Sequence, residues 1–263
     1  METISVISLE EFENKFKFDK SKVLNIGLER EAFILKDNLI VPKSPDIISV
    51  IEKLNLKWQS VGYELSACQL ELRYGPSEVG GIKNILRESE KEMAKIKSDN
   101  NFDLLFADVA PEEISLDVYP DPTGRYQNLS QTLPHEILRA ACMVAGTHVH
   151  VGMPDLETAI RIYDCLIPHT KELLMSGDGS NGERIGLYQQ MAPKCQPVFL
   201  KDEKEWYDRA VENGYVEDPR KCWTWIRISI HGTIEFRVFG STPDLNKIEE
   251  WIYACHALCK KYL

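Results

Sequence analysis

The segment GTHVHVG, residues 146–152, carries two histidines one residue apart between glycines. Alternate residues of an extended strand point to the same face, roughly 7 Å apart. We therefore expect His148 and His150 to share one face of a strand, with the apolar residues around them on the other. In isolation, such a pair is as typical of a solvated strand face as of a functional site, so its meaning depends on the strands beside it.

Three further segments show the same alternation, with charged side chains on one face and mainly apolar side chains on the other. A single polar face usually meets solvent. Four faces that together collect carboxylates, imidazoles and guanidiniums indicate a shared site if the strands are neighbours. The charged pairs are Glu29 and Glu31 in GLEREAF (27–33), Glu71 and Arg73 in QLELRY (69–74), and Glu235 and Arg237 in TIEFRVF (233–239).

The shared chemistry of these faces points to cations and phosphate. Crowded carboxylates repel one another unless cations neutralise them. Oxygen ligands with an occasional histidine suit Mg²⁺ or Mn²⁺, and a magnesium site with few carboxylates commonly takes a phosphate-bearing substrate. Arginines on the same face would stabilise phosphoryl oxygens. The pattern predicts metal–nucleotide chemistry on a sheet, although it does not show which strands are neighbours.

Length and composition restrict the class of protein. At 263 residues, 43% of them hydrophobic and 27% charged, the chain is expected to form a single catalytic domain over residues 1–263. The net charge of −10, without a basic tract, argues against nucleic acid as a partner. No apolar run is long enough for a bilayer, and the acidic N-terminal segment 1–16 is unlike a signal peptide, so we expect a cytoplasmic protein without a membrane partner. Seven cysteines without a CxxC pair predict neither a zinc site nor a disulfide framework.

Helix and strand patterns are mixed along the chain, and hairpins recur, which predicts an α+β fold with a mostly antiparallel sheet. Residues 109–133 are rich in Pro, Asp and Gly and predict a long loop, as does the glycine-rich segment 176–186. A hairpin turn is expected at 231–232, between the last two strands. The predicted helices include 80–100, 155–175 with an interruption near Pro168, and 245–262.

Five segments stand in an order that resembles the glutamate–cysteine ligase type 2 family of carboxylate–amine ligases, whose catalytic sheet is similar to that of glutamine synthetase. The resemblance implies a curved, mostly antiparallel sheet with helices packed on one face. It also implies ATP bound with two or three magnesium ions (Mg²⁺), with Mn²⁺ as an alternative. The γ-carboxylate of glutamate would attack the γ-phosphate, and an amine such as that of cysteine would displace phosphate from the resulting acyl phosphate. The segments are GLERE, YELSACQLEL, RYQNL, GTHVHVG and GTIEFRV, between about residues 23 and 238.

The resemblance also implies roles for individual residues. Arg237 and Arg227 match arginines that neutralise the transferring phosphoryl group beside Glu235, and these three are the expected catalytic residues. His150 matches a residue that faces the nucleotide phosphates, and Arg125 and Arg184 match substrate-loop arginines. The expected metal ligands are Glu29, Glu31, Glu64, Glu71, His148 and Glu235, with Glu31, Glu64 and Glu71 sharing one ion, and Glu29, His148 and Glu235 another.

Two departures from the family pattern keep other functions open. Gly240 stands where the family commonly has an acidic residue, and the chain stops at Leu263, where relatives usually continue. A catalytically inactive relative that binds a nucleotide or metabolite and regulates a partner is therefore an alternative. A phosphotransferase is another, because a related sheet serves guanidino kinases. A metal hydrolase would explain the histidine pair but not the arginines. The sequence leaves open which amine is the acceptor and whether the chain forms a homo-oligomer.

Overall fold

An antiparallel sheet joins all four of the strands that the sequence singled out. The computed structural model describes residues 7–263. Within this range the strand order is β3-β4-β1-β6-β8-β7, and β2 and β5 pair with β1. The strands are β1 (Ile26–Lys36), β2 (Leu39–Ile40), β3 (Ser60–Tyr63), β4 (Gln69–Ser77), β5 (Asp103–Leu105), β6 (Gly146–Gly152), β7 (Ile226–Ser229) and β8 (Thr233–Gly240). The predicted α+β class with a mostly antiparallel sheet is confirmed.

The helices fall largely where apolar periodicity placed them. The 155–175 helix is interrupted as predicted, by a 3₁₀ turn at Ile167–His169 that contains Pro168. Residues 1–6, part of the segment on which the expectation about a signal peptide rests, lie outside the described residues. The helices are α1 (Leu9–Glu13), α2 (Ser44–Ile51), α3 (Val79–Asn100), α4 (Arg125–Thr132), α5 (His135–Met143), α6 (Leu156–Leu166), α7 (Thr170–Gly177), α8 (Glu183–Met191), α9 (Glu203–Glu212) and α10 (Leu245–Tyr262).

One face of the sheet is apolar and carries most of the core. Leu28, Leu72, Val149 and Phe236 alternate with the polar residues of their strands and are at most 1% exposed. Helices α3, α6 and α10 contact the sheet, and their buried apolar side chains belong to the same core. Burial of this face leaves the opposite face of the same strands for the polar side chains.

Arg30 is the charged exception on the apolar face. Its side chain is 1% exposed, and its Nη1 lies 2.5 Å from Glu90 Oε1 on α3, while Nη2 donates to the carbonyl of Thr242 at 3.1 Å. A buried guanidinium is tolerated when it is paired and hydrogen-bonded in this way. The contact ties β1 to α3 directly behind the polar face.

Two segments predicted as loops are partly helical. Eight residues of 109–133, Arg125–Thr132, form α4, and the last residues of 176–186 begin α8. Helix α4 buries none of its residues and has no strong apolar stripe, so periodicity did not reveal it. Its start is fixed instead by the Asp121 carboxylate, which accepts hydrogen bonds from the backbone N–H groups of Thr123 and Arg125.

Among residues 7–263, no helix has both the length and the apolar character needed to cross a membrane.

Candidate active site

Pairing between neighbouring strands merges the four polar faces into one. Glu29 on β1 lies opposite Arg73 on β4 and, on its other side, opposite His148 on β6. Farther along, His150 lies opposite Glu235 on β8. The condition that the sequence left open, that these strands are neighbours, is therefore met.

Two compact groups of candidate metal ligands lie on this face. In each group, one ligand atom from every residue falls within 4.8 Å of the others. The first group joins three strands, and the second joins β1 and β4 with the segment that follows β3. The groups are Glu29 with His150 and Glu235, and Glu31 with Glu64 and Glu71. All the carboxylates predicted as ligands are thus brought together.

Both histidines contact the same carboxylate. His148 Nδ1 lies 3.2 Å from Glu29 Oε2, and its Nε2 lies 3.5 Å from Glu31 Oε1. His150 Nε2 lies 3.5 Å from Glu29 Oε1, and its Nδ1 lies 2.9 Å from the hydroxyl of Thr233. The compact group contains His150, whereas the sequence assigned the metal to His148 and the phosphates to His150. Because His148 bridges the two groups, that division of roles stays a prediction.

Glu235 is held between two arginines. Its side chain is fully buried, with Oε2 accepting from Arg227 Nε at 2.7 Å and Oε1 from Arg237 Nη1 at 2.5 Å. Burial alone would raise the pKa of Glu235, but Arg227, His150 and Arg237 hold it well below the usual range. The carboxylate is therefore ionised, and it fixes both guanidiniums at the cavity.

The second group has the opposite electrostatic character. Burial raises the pKa of Glu31 to about 7, and Arg237 opposes the rise only in part. Burial and the nearby Glu31 raise the pKa of Glu64 to about 7, and burial with Glu29 and Glu64 raises the pKa of Glu71 well above the usual range. Without a cation, this group takes up protons near neutral pH.

The polar face forms the floor of a cavity of about 600 Å³. Arg125, the predicted substrate-loop residue, lines this cavity. The lining residues outside β1, β4, β6 and β8 form what we call the roof, and most of them had no role assigned from the sequence. His231 was noted only as part of a turn, and its ring centroid lies 6.3 Å from that of His150. The unassigned lining residues include Tyr63, Tyr126, Arg220, Trp223 and His231.

Arg227 joins the floor to the roof. Its Nε donates to Glu235 on the floor, while its Nη1 donates to the carbonyls of Arg220 at 3.1 Å and Cys222 at 2.8 Å. Within residues 7–263, the side chain of Arg237 makes two hydrogen bonds, from Nε to Tyr188 and from Nη1 to Glu235, whereas that of Arg227 makes three. Arg237 thus keeps more donors for a ligand.

Arg184, which the resemblance assigned to the substrate loop, is not among the residues that line the cavity. The side chain is 1% exposed, and it donates to the carbonyls of Ala145, Val238 and Arg237 at 3.0–3.2 Å. A side chain at Gly146 would be crowded, because its Cβ would lie 3.0 Å from Arg184 Nη2. Arg184 therefore braces the ends of β6 and β8 from within the protein.

Gly240, where the family commonly has an acidic residue, lies against the side chain of Asp108. A Cβ at this position would lie 2.1 Å from Asp108 Oδ1, so the Asp108 carboxylate occupies the space beside the strand. Asp108 Oδ2 accepts from the backbone N–H of Gly179 at 2.6 Å. Asp244, four residues on, caps α10 by accepting from the backbone N–H of Asn246. An acidic side chain at residue 240 would have to displace the Asp108 carboxylate.

A second cavity, of about 710 Å³, adjoins the first. Four residues line both, namely Met191, Pro219, Trp223 and Arg227. Its floor is apolar and aromatic, with Phe16, Tyr163 and Trp206 each at most 6% exposed. The two spaces meet beside the arginines that hold Glu235.

Comparisons with known proteins identify a family and several relatives. The model of the family described as Glutamate-cysteine ligase family 2 matches residues 25–173. A protein of Bradyrhizobium sp. (strain ORS 278) with the provisional name glutamate–cysteine ligase 2 is 24% identical over 242 residues, which cover 84% of this chain and 57% of that protein. The glutamate–cysteine ligase of Haloferax volcanii is 28% identical over 128 residues, covering 43% of this chain and 36% of that protein. The chain thus spans only about half, or less, of these relatives.

A solved structure shares the fold at low sequence identity. The bifunctional glutathione synthetase from Pasteurella multocida superposes with a TM-score of 0.57 and 10% identity, covering 97% of this chain and 40% of that one. At this identity the likeness concerns the fold alone.

Proposed function

The chain belongs to glutamate-cysteine ligase family 2, and on that premise we propose that it is an ATP-dependent carboxylate–amine ligase. It activates the γ-carboxylate of glutamate as an acyl phosphate and joins it to an amine, cysteine or another amino compound. The observation that carries the proposal is Glu235, buried between Arg227 and Arg237 at the meeting point of a ligand group and an open cavity. Guanidiniums so oriented suit a phosphoryl group in transfer.

The residues fit divalent cations. Carboxylate oxygens with one imidazole nitrogen suit Mg²⁺ or Mn²⁺, and the ligand atoms of each group already lie within 4.8 Å of one another. His150 Nε2 is buried and has no hydrogen-bond partner within residues 7–263, so it is available to a cation. When bound, the cations would neutralise the carboxylates and polarise the phosphate oxygens.

The chain's own groups supply orientation and charge. Arg237 is fixed by Glu235 and Tyr188, and its remaining N–H donors face developing charge on the phosphoryl oxygens. Arg125, in the roof, contributes a positive charge for the carboxylate substrate.

The adjoining aromatic cavity is a suitable place for the purine base. Trp223 lines both spaces, so a nucleotide could place its base among aromatic residues and its phosphates at the arginines. Flat aromatic groups pack favourably against tryptophan and tyrosine rings. A volume of about 710 Å³ exceeds what the side chain of cysteine would need.

The test is phosphate release from Mg-ATP with glutamate across a panel of amines that includes cysteine, with the product identified by mass spectrometry. We expect release that depends on both the carboxylate and the amine, and a product with the mass of a glutamyl amide. Glu235→Gln is the negative control, and Lys204→Gln, on the exposed face of α9, is the matched surface control.

Two outcomes would contradict the proposal. Phosphate release with glutamate but without any amide product would indicate a hydrolase, and ADP with a phosphorylated product but no free phosphate would indicate a phosphotransferase. Binding of ATP by calorimetry without release for any amine would favour the inactive, regulatory relative.

A further inference from the structure

Arg73 is a charged residue of the polar face to which the proposed chemistry gives no role. Its Nε contacts Glu71 Oε1, and the two side chains differ in exposure, at 48% for Arg73 and 7% for Glu71. Arg73 lines the catalytic cavity together with Glu64 and Glu71. A positive charge therefore stands at the mouth of the second ligand group, with a buried carboxylate as its partner.

Gly62 provides the seat for this guanidinium. On β3, Gly62 lies opposite Glu71, and Ser60 lies opposite Arg73. A Cβ at Gly62 would fall 2.4 Å from Arg73 Nη2 and 2.5 Å from its Cζ. The guanidinium thus lies across the bare backbone of Gly62, and a side chain there would push it away from Glu71.

The positive charges are divided unequally between the two ligand groups. Arg227 and Arg237 both pair with Glu235 in the first group. Within residues 7–263, Arg73 is the one guanidinium that pairs with a member of the second group. The second group therefore combines three carboxylates with a single fixed cation that competes with any divalent ion for Glu71.

We propose that Arg73, seated on Gly62, is a built-in cation of the second ligand group: it occupies one side of Glu71 and weakens divalent-cation binding there. This inference rests on the proposed function in that it requires a site that takes divalent ions. It assigns Arg73 as a positioning residue, because Arg73 acts through Glu71 rather than on the reacting atoms.

The competing role for Arg73 is a direct contact with the carboxylate substrate. The side chain is about half exposed and lines the cavity, so such a contact is chemically reasonable. The two roles predict different results in the absence of substrate. A built-in cation affects metal binding alone, whereas a substrate contact affects only the KM for glutamate.

The test is a titration with Mn²⁺, without nucleotide or substrate, by calorimetry and by electron paramagnetic resonance of free Mn²⁺. We expect the wild-type protein to bind two ions with unequal affinity. Arg73→Met should tighten the weaker ion by about tenfold, because a unit positive charge close to the site is removed. Arg73→Lys keeps the charge and should stay within about threefold of wild type.

Gly62→Ala tests the same idea with the arginine retained. Like Arg73→Met, it should raise the affinity for the more weakly bound ion, because the added methyl group displaces the guanidinium from Gly62. It also keeps the test decisive if Arg73→Met folds poorly, which circular dichroism will reveal. Arg220→Met is the matched control, because this cavity arginine pairs with Asp218 and not with the ligand groups, and its Mn²⁺ affinities should equal those of wild type.

Some results would overturn the inference. If wild type binds two ions and both Arg73→Met and Gly62→Ala bind them with wild-type affinity, Arg73 is not a built-in cation, and a raised KM for glutamate would assign it to the substrate. If wild type binds no Mn²⁺, both this inference and the metal part of the proposed function are wrong. The wild-type titration therefore separates the two failures.

Discussion

Glu31 and Glu71 lie directly opposite each other on β1 and β4, and both side chains are buried. Like charges in direct cross-strand pairs are destabilising. Burial is the main cause that raises the pKa of each carboxyl, to about 7 for Glu31 and well above the usual range for Glu71. The unliganded protein therefore stores repulsion at the position where we propose that a cation binds.

The first prediction is that the stability of the metal-free protein falls as the pH rises from 6.5 to 8. Glu31 and Glu64 have pKa values of about 7 against ordinary values of 4.5, so the folded state holds more protons across this range and loses stability as they dissociate. His148, with its pKa lowered to about 4, acts in the opposite sense but only below pH 6.5. Thermal unfolding in EDTA should show Tm lower by several degrees at pH 8, since about 1 kcal/mol corresponds to roughly 2–4 °C.

Added Mg²⁺ should remove most of this pH dependence, because a bound cation replaces the protons. Glu31→Gln should flatten the metal-free curve, since the amide does not titrate. A Tm that rises between pH 6.5 and 8 in EDTA would show that this group is not protonated in the folded state.

The second prediction contrasts two glutamates that should both be essential for turnover. Glu235→Gln should lower the free energy of unfolding by roughly 3–5 kcal/mol, because it leaves Arg227 and Arg237 without their buried partner. Glu31→Gln should raise the stability of the metal-free protein at pH 7.5, because it relieves repulsion with Glu71 and Glu64. Urea unfolding measures the free energy of unfolding, and phosphate release measures turnover. Equal stability effects for the two variants would contradict the assigned charges.

The third prediction concerns the two arginines on Glu235. Arg237→Lys should lower kcat by roughly 100-fold with a smaller rise in the KM for ATP, because lysine cannot reproduce the fork of donors aimed at developing charge. Arg227→Lys should also lower Tm, because its Nη1 bonds to the carbonyls of Arg220 and Cys222 are lost. Steady-state kinetics with ATP varied at saturating glutamate will check this. An effect of Arg237→Lys confined to KM would mean that Arg237 binds only the ground state.

The fourth prediction concerns Arg184, whose buried contacts are with backbone carbonyls. Arg184→Met should destabilise the protein by roughly 3 kcal/mol or more, because three backbone carbonyls lose their buried donor. The folded fraction should keep a wild-type KM for ATP. Arg125→Met is the matched comparison, since its partly exposed side chain lines the cavity and its loss should raise the KM for glutamate while Tm stays unchanged. Unchanged stability of Arg184→Met together with a raised KM would instead support the predicted place of Arg184 in the substrate loop.

The candidate floor could be predicted from the sequence because strand periodicity is exact: Glu29 and Glu31 must share a face whatever the strands beside them. What lies opposite them depends on the register between strands that are far apart in the chain, which the pattern within one strand does not fix. The contact between Arg73 and Gly62 follows from that register. The burial of Arg184 could not be predicted, because its partners are backbone carbonyls that carry no sequence signature. His231 lies in the turn between β7 and β8, where no periodic pattern marks it.

Arg227 links Glu235 on the sheet to the segment that carries Arg220 and Cys222. Its Nε donates to Glu235 and its Nη1 donates to the two backbone carbonyls. Because both nitrogens belong to one planar guanidinium, a displacement of this segment that drew Arg227 along would also move the donor that holds Glu235. The position of the segment and the ion pair within the sheet are therefore mechanically coupled.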